Sequence, residues 1–307
     1  MEDRNNVPLA RYTTLKIGGE ARRFCQPESV DELVELVSHL KARDEPWFVL
    51  GGGSNLLVSS ADIDTCVIRT AQMTRVVILE EQAGNGAGGM IEADAGARLP
   101  HLARFAAAKG LAGCEFAVGI PGTVGGGVIM NAGAHGSSMS EIIESVTIFD
   151  TRKGEVQTLT NEECGFVYRK CNLDPAVHVV LSARFRLQSD RSELIEERTR
   201  HNEEYRLKTQ PIGWPNAGST FKNPEPTRGA GLLLDKSGAK ALKEGAAAVS
   251  ALHANFVINT GGATSTEVTT LLKRMQECVH SAFQVTLHPE WKTLGDFSAL
   301  EREVWQA

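Results

Sequence analysis

The stretch GIPGTVGGGVIMNAGAHG, residues 119–136, decides how this chain is read: it is rich in glycine and contains no acidic residue. A second glycine run, GGGSN at 51–55, follows Trp47 to Leu50, a short apolar run that predicts a buried strand. Without Cβ atoms, the backbone amides of both segments can approach a ligand closely, and clusters of free N–H groups bind phosphates. The missing carboxylates fit this use, because an acid beside a phosphate would repel it. Neither segment has the lysine of a P-loop. Neither opens a helix after the first strand with an acidic residue roughly 20 positions on, as a dinucleotide fingerprint requires. The phosphates must be held by another fold.

A chain of 307 residues is long for one core and suggests two domains. Its 42% hydrophobic and 23% charged residues are those of an ordinary soluble protein. A net charge of -6 argues against a broad nucleic-acid surface. The sequence opens MEDRNNVPLA, with charges where a secretory leader needs an apolar core, and no apolar run reaches the roughly 18 residues that span a bilayer. The expectation is a cytoplasmic protein with no membrane or nucleic-acid partner, a monomer or weak oligomer. Cysteines 25, 66, 114, 164, 171 and 278 never approach CxxC spacing, so no metal site or redox pair is expected.

Ser29 and Glu32 form a capping-box pattern ahead of Leu33, Val34, Leu36, Val37 and Leu40 on one helical face. A second helix is expected from Leu99 to Ala108, stopped by Gly110, and a strand over 179–187 closes the first domain. Charged all round, 188–205 reads as an exposed helical connector. The second domain then shows strand-like HANFVIN (253–259) and a helix starting at Thr264 and Glu267. The boundaries expected are 1–190 (two α+β halves split near 75–80), a connector over 191–210, and 211–307.

YTTLKIGG (12–19), VLGGGSNLLV (49–58), the 119–136 stretch, YR (168–169) and NAGSTFKNP (216–224) occur together and in order. In this combination the chain resembles the short form of the UDP-N-acetylenolpyruvoylglucosamine reductase family. The resemblance implies an α+β fold: a flavin domain of the vanillyl-alcohol-oxidase (PCMH) type followed by a smaller substrate-binding domain. It implies non-covalent FAD held by Leu50, Gly51, Gly52, Gly53, Ser54 and Asn55, and by Gly119, Ile120, Pro121, Gly122, Thr123, Val124, Gly125, Gly126, Asn131 and Gly133. NADPH would be the hydride donor and a UDP-sugar enolpyruvate the substrate.

Three tasks follow from that reaction: polarising a carboxylate, stabilising an enolate and delivering one proton. By motif position Arg169 would take the first, Ser219 would be the proton donor and Glu290 would complete the set. Tyr168, Lys222, Asn223 and Lys208 would contact substrate, with Arg206 an alternative source of charge. His253 and Asn255 read as structural. The sequence departs from the family pattern at Cys171, where a serine is usual, which would loosen Arg169, and at His288 and Trp291 on either side of Pro289-Glu290. The alternatives are a flavin-dependent alcohol oxidase or dehydrogenase of the same fold, which gives no role to the GSTFKNP segment, and a non-enzymatic flavin- or nucleotide-binding module, which would tolerate loss of Ser219 or Arg169, both of which are present.

Overall fold

The first apolar stripe carries directly into structure. In the computed structural model, which describes residues 1–81, 88–225 and 228–306, Val30–Ala42 is a helix with Leu33, Leu36, Val37 and Leu40 buried. The Ser29 hydroxyl starts it by accepting the Glu32 N–H. The buried face packs with Cys66 and Ile68 of Ile63–Arg69, which runs parallel to Trp47–Leu50. Each buried leucine or valine there contributes about 1.5–3 kcal/mol. A four-stranded sheet results, ordered Glu2–Pro8, Glu20–Gln26, Ile63–Arg69, Trp47–Leu50.

A second sheet is antiparallel and runs Glu155–Thr160, Ile143–Asp150, His178–Ser189, Gly89–Asp94, Val76–Glu81. The expected helix Leu99–Ala108 buries Leu99, Leu102, Ala103 and Ala106 in one core with Ile91, Val146 and Phe185. Gly110, at φ 67°, takes the chain out of it. Within the same core lies a six-residue helix, Val124–Ile129, made by the middle of the glycine stretch.

Contacts divide the chain into two compact units: 1–4, 24–52 and 66–206 in one, and 5–23, 53–65 and 207–307 in the other. Residues 5–23 and 53–65, which lie within the linear stretch 1–190, therefore group with the C-terminal residues. The charged connector forms the helix Ser192–Thr209, with Ile195 its buried residue. In the second unit, the helix Ser265–Phe283 starts at a complete Thr264/Glu267 capping box and buries Val268, Leu271, Leu272, Met275 and Val279. It shares a core with Phe221, Leu287 and Trp291. HANFVIN is strand only over Val257–Asn259. The His253 Nδ1 accepts the Asn255 N–H, and this local bond holds 253–255 in a turn instead.

Candidate active site

In the first unit the two glycine segments meet. A Cβ built on Gly51 would lie 2.3 Å from Thr123 Oγ1, and one on Gly52 would lie 3.3 Å from the Gly122 Cα. Glycine is required at these contacts by space, since the φ values there are ordinary for any residue. Val124 and Gly125 do not offer free amides: their N–H groups donate to the carbonyls of Ala97 and Ala95. Gly125 and Gly127 instead allow close packing on Ala95, Leu99 and Met139. The free amides lie elsewhere. Among the described residues, the N–H groups of Gly51, Gly52, Gly53, Ser54 and Asn55 meet no hydrogen-bond acceptor, nor do those of Thr123 and Gly126. Thr123 Oγ1 is buried with no partner among them either. Free donors on a turn stripped of side chains are what a diphosphate needs, so these residues fit the pyrophosphate of FAD.

The Tyr168-Arg169 pair occupies the tip of a tight hairpin closed by reciprocal Val167–Lys170 backbone bonds of 2.9 and 3.2 Å. Arg169 adopts φ 57°, a conformation costing a non-glycine residue on the order of 1–2 kcal/mol. That cost is offset by anchoring. Arg169 Nη2 donates to the Gly133 carbonyl at 2.8 Å, its guanidinium lies 5.1 Å from the Tyr168 ring centroid, and the Asn131 amide donates to Val167 O at 3.0 Å. Asn131 and Gly133 thus hold the arginine turn. Cys171, buried, donates its Sγ to Ile129 O, adding a tie between hairpin and glycine helix. Tyr168 itself is exposed.

Arg206 is half-buried against Gly119, where an added Cβ would lie 2.8 Å from its Cδ. Burial holds its pKa below the ordinary arginine value. Lys208 is exposed. Nearby, His135 stacks edge-on against Tyr205, and burial, then His201 and Arg206, keep its pKa low.

In the second unit the NAGSTFKNP segment is gripped from both sides. Asn216 Oδ1 accepts the Gly218 N–H, and Gly218 takes φ 76°. Beyond it, the Thr220 N–H donates to Asn255 O at 2.8 Å, and the Asn255 side chain brackets Phe221, accepting its N–H at 2.9 Å and donating to its carbonyl at 2.8 Å. On the other side, the Glu290 N–H donates to Thr220 O and the Lys222 N–H to His288 O. Asn55 Nδ2 donates to the Glu290 carbonyl, so the end of the GGGSN run touches this segment. Ser219 is half-buried and lines a cavity of about 410 Å³ together with Asn223, Lys240 and His253. Thr220, the adjacent hydroxyl, is fully buried. Lys222 and Glu290 line a different cavity of about 340 Å³ with His288 and Trp305. Asn223 also caps the helix Ala230–Lys236 by accepting the Ala230 N–H. Asn255 is the residue whose importance the sequence left hidden; only its place in HANF hinted at it.

Free amides on a glycine turn suit a phosphate-bearing cofactor, and residues 21–160 match the family model described as FAD binding domain, which makes the class that of a flavin-binding protein. Residues 210–294 match UDP-N-acetylenolpyruvoylglucosamine reductase, C-terminal domain. The chain is 43% identical over 297 residues to the UDP-N-acetylenolpyruvoylglucosamine reductase of Synechococcus sp. (strain RCC307), covering 96% of this chain and 95% of that one. Against the same protein of Caldanaerobacter subterraneus subsp. tengcongensis it is 39% identical over 291 residues, covering 95% and 93%. The crystal structure of the reductase from Thermus caldophilus superposes with a TM-score of 0.78 at 34% identity, covering 95% of this chain and 98% of that one. The chain belongs to the UDP-N-acetylenolpyruvoylglucosamine reductase family and is an oxidoreductase. Among the described residues no helix is long and apolar enough to cross a membrane.

Proposed function

We propose that this chain reduces the enolpyruvyl ether of UDP-N-acetylglucosamine enolpyruvate to UDP-N-acetylmuramate with NADPH, a step of peptidoglycan precursor synthesis carried out in the cytoplasm. The observation that carries the reading is the contrast between two neighbouring hydroxyls: Ser219 opens onto a cavity while Thr220 is sealed in the core. Leu50–Asn55 and Gly119–Gly126 would hold FAD, which when bound supplies the substrate with a hydride obtained from NADPH.

The remaining work falls to side chains. Arg169 presents the planar fork of its guanidinium to the substrate carboxylate. Its clamped turn fixes that fork before substrate arrives, so little ordering remains to be done on binding. Ser219 Oγ donates its proton to the carbon next to the carboxylate, completing saturation of the double bond. An alkoxide is a poor base beside an enolate carbon, so the transfer runs downhill, and the cavity at Ser219 admits the solvent that restores the proton. Glu290 would hydrogen-bond the enolate in its protonated form. Lys222, Asn223 and Tyr168 would bind the UDP-sugar, with Arg206 or Lys208 adding positive charge.

Anaerobic stopped-flow tests the reading: the purified protein is reduced with NADPH, then mixed with UDP-N-acetylglucosamine enolpyruvate while flavin absorbance near 450 nm is followed. Rapid return of absorbance is the expected result. Flavin that stays reduced until air is admitted would point to an oxidase, and protein purified without flavin would remove the basis of the proposal. Ser219→Ala should still be reduced by NADPH but lose about 10²–10⁴-fold in substrate turnover.

A further inference from the structure

The segment matching the reductase C-terminal domain ends at residue 294, and the chain continues into a helix, Ala299–Gln306. This helix is seated on Ser265–Phe283 by a Lys273–Glu303 ion pair of 2.6 Å, by the Thr266 hydroxyl donating to Glu301 at 2.9 Å, and by the buried Val304. Its remaining contacts reach the segment that carries Glu290, just ahead of the strand Lys292–Leu294. Trp305 Nε1 donates to the carbonyl of Trp291, the residue after Glu290, at 3.1 Å. Gln276, buried, donates one amide to both Leu287 O at 2.8 Å and Val304 O at 3.0 Å, tying the start of that segment to the helix. Three backbone groups of residues 290 and 291 are therefore held by three different residues: the Glu290 N–H by Thr220, the Glu290 carbonyl by Asn55 and the Trp291 carbonyl by Trp305. Trp305 also walls the cavity that Glu290 and Lys222 line.

We infer that Trp305 is a positioning residue for Glu290, and that the terminal helix is a device for holding that carboxyl in register. The inference rests on the proposed role of Glu290. Its physical basis is leverage: losing the bond to the Trp291 carbonyl loosens the 291–292 peptide, one link from Glu290, and misplacement of a reacting group by about 1 Å costs about 10²-fold in rate.

Trp305→Phe keeps the ring and removes the N–H. In anaerobic single-turnover measurements, flavin reduction by NADPH is expected to be unchanged and reoxidation by the enolpyruvyl substrate slowed about tenfold, with KM unchanged. In a Glu290→Gln background the same substitution should add nothing, because the group it positions has gone. Reoxidation at the parental rate, or a full further tenfold loss on top of Glu290→Gln, overturns the inference. A lowered melting temperature with both half-reactions slowed together makes Trp305 merely structural and overturns it too. Glu290→Gln reoxidising normally would instead remove the role of Glu290 itself, a failure of the underlying reading that the single variant reveals separately.

Discussion

Replacing Asn255 by alanine should destabilise the second unit more than most single substitutions, because one buried amide serves both backbone groups of Phe221. Asn255 is 3% exposed and Phe221 1% exposed, so water cannot replace the lost partners. Each buried group left unsatisfied costs about 1–3 kcal/mol, giving about 2–6 kcal/mol for the pair. With a urea dependence of about 2 kcal/mol per molar, the unfolding midpoint falls by about 1–3 M. Tryptophan fluorescence is the natural probe, since the buried Trp291 shares a core with Phe221. Asn255→Asp separates the two bonds: it keeps the acceptor for the Phe221 N–H and sets an oxygen against the Phe221 carbonyl, so it should also destabilise. A midpoint shift below about 0.3 M for Asn255→Ala would refute the reasoning, since it would mean that the Phe221 groups find other partners.

Thr220→Val should retain activity and be neutral or more stable by about 1 kcal/mol, because the Thr220 hydroxyl is buried with no partner among the described residues; a loss of turnover comparable to Ser219→Ala would reverse the assignment of the proton donor. Gly53→Ala should lower both the melting temperature and the flavin content of the purified protein, since Gly53 sits at φ 60° and an added Cβ would lie 2.1 Å from the Tyr12 carbonyl; absorbance at 450 nm relative to 280 nm reads this out. The His253 pKa is held below its ordinary 6.5, chiefly by burial and then by Lys240, and its Nδ1 must stay unprotonated to accept the Asn255 N–H. A group whose protonated form is disfavoured in the fold stabilises fully above its unfolded pKa and loses that contribution as pH falls through the lowered value. Urea midpoints measured on acidification should therefore fall more steeply in the parent than in His253→Leu.

Much of this was open to reading because local rules act over a few residues. Ser29, Thr264, Glu267 and Gly110 mark helix ends by chemistry confined to one turn, and the structure places those ends where the sequence predicts them. HANFVIN misleads at its start because a histidine nitrogen competes for the backbone, a bond that composition does not reveal. The glycines of 119–136 do several jobs. Part of the stretch packs a short helix against Ala95 and Leu99, and the free donors lie mostly in GGGSN.

Capping residues fix helix ends and the glycine segments point to a phosphate-bearing ligand, each through residues close along the chain, while the flavin and reductase domains were legible as what the ordered motifs' resemblance to a family implies. Tertiary structure alone decides which hydroxyl of Ser219-Thr220 is open, that Asn131 and Gly133 anchor Arg169, that Asn255 brackets Phe221, and that Trp305 near the end of the chain reaches the carbonyl of Trp291 beside Glu290. Those pairings join residues many positions apart. Burial and hydrogen-bond direction depend on which surfaces meet after folding, and sequence spacing carries no record of that.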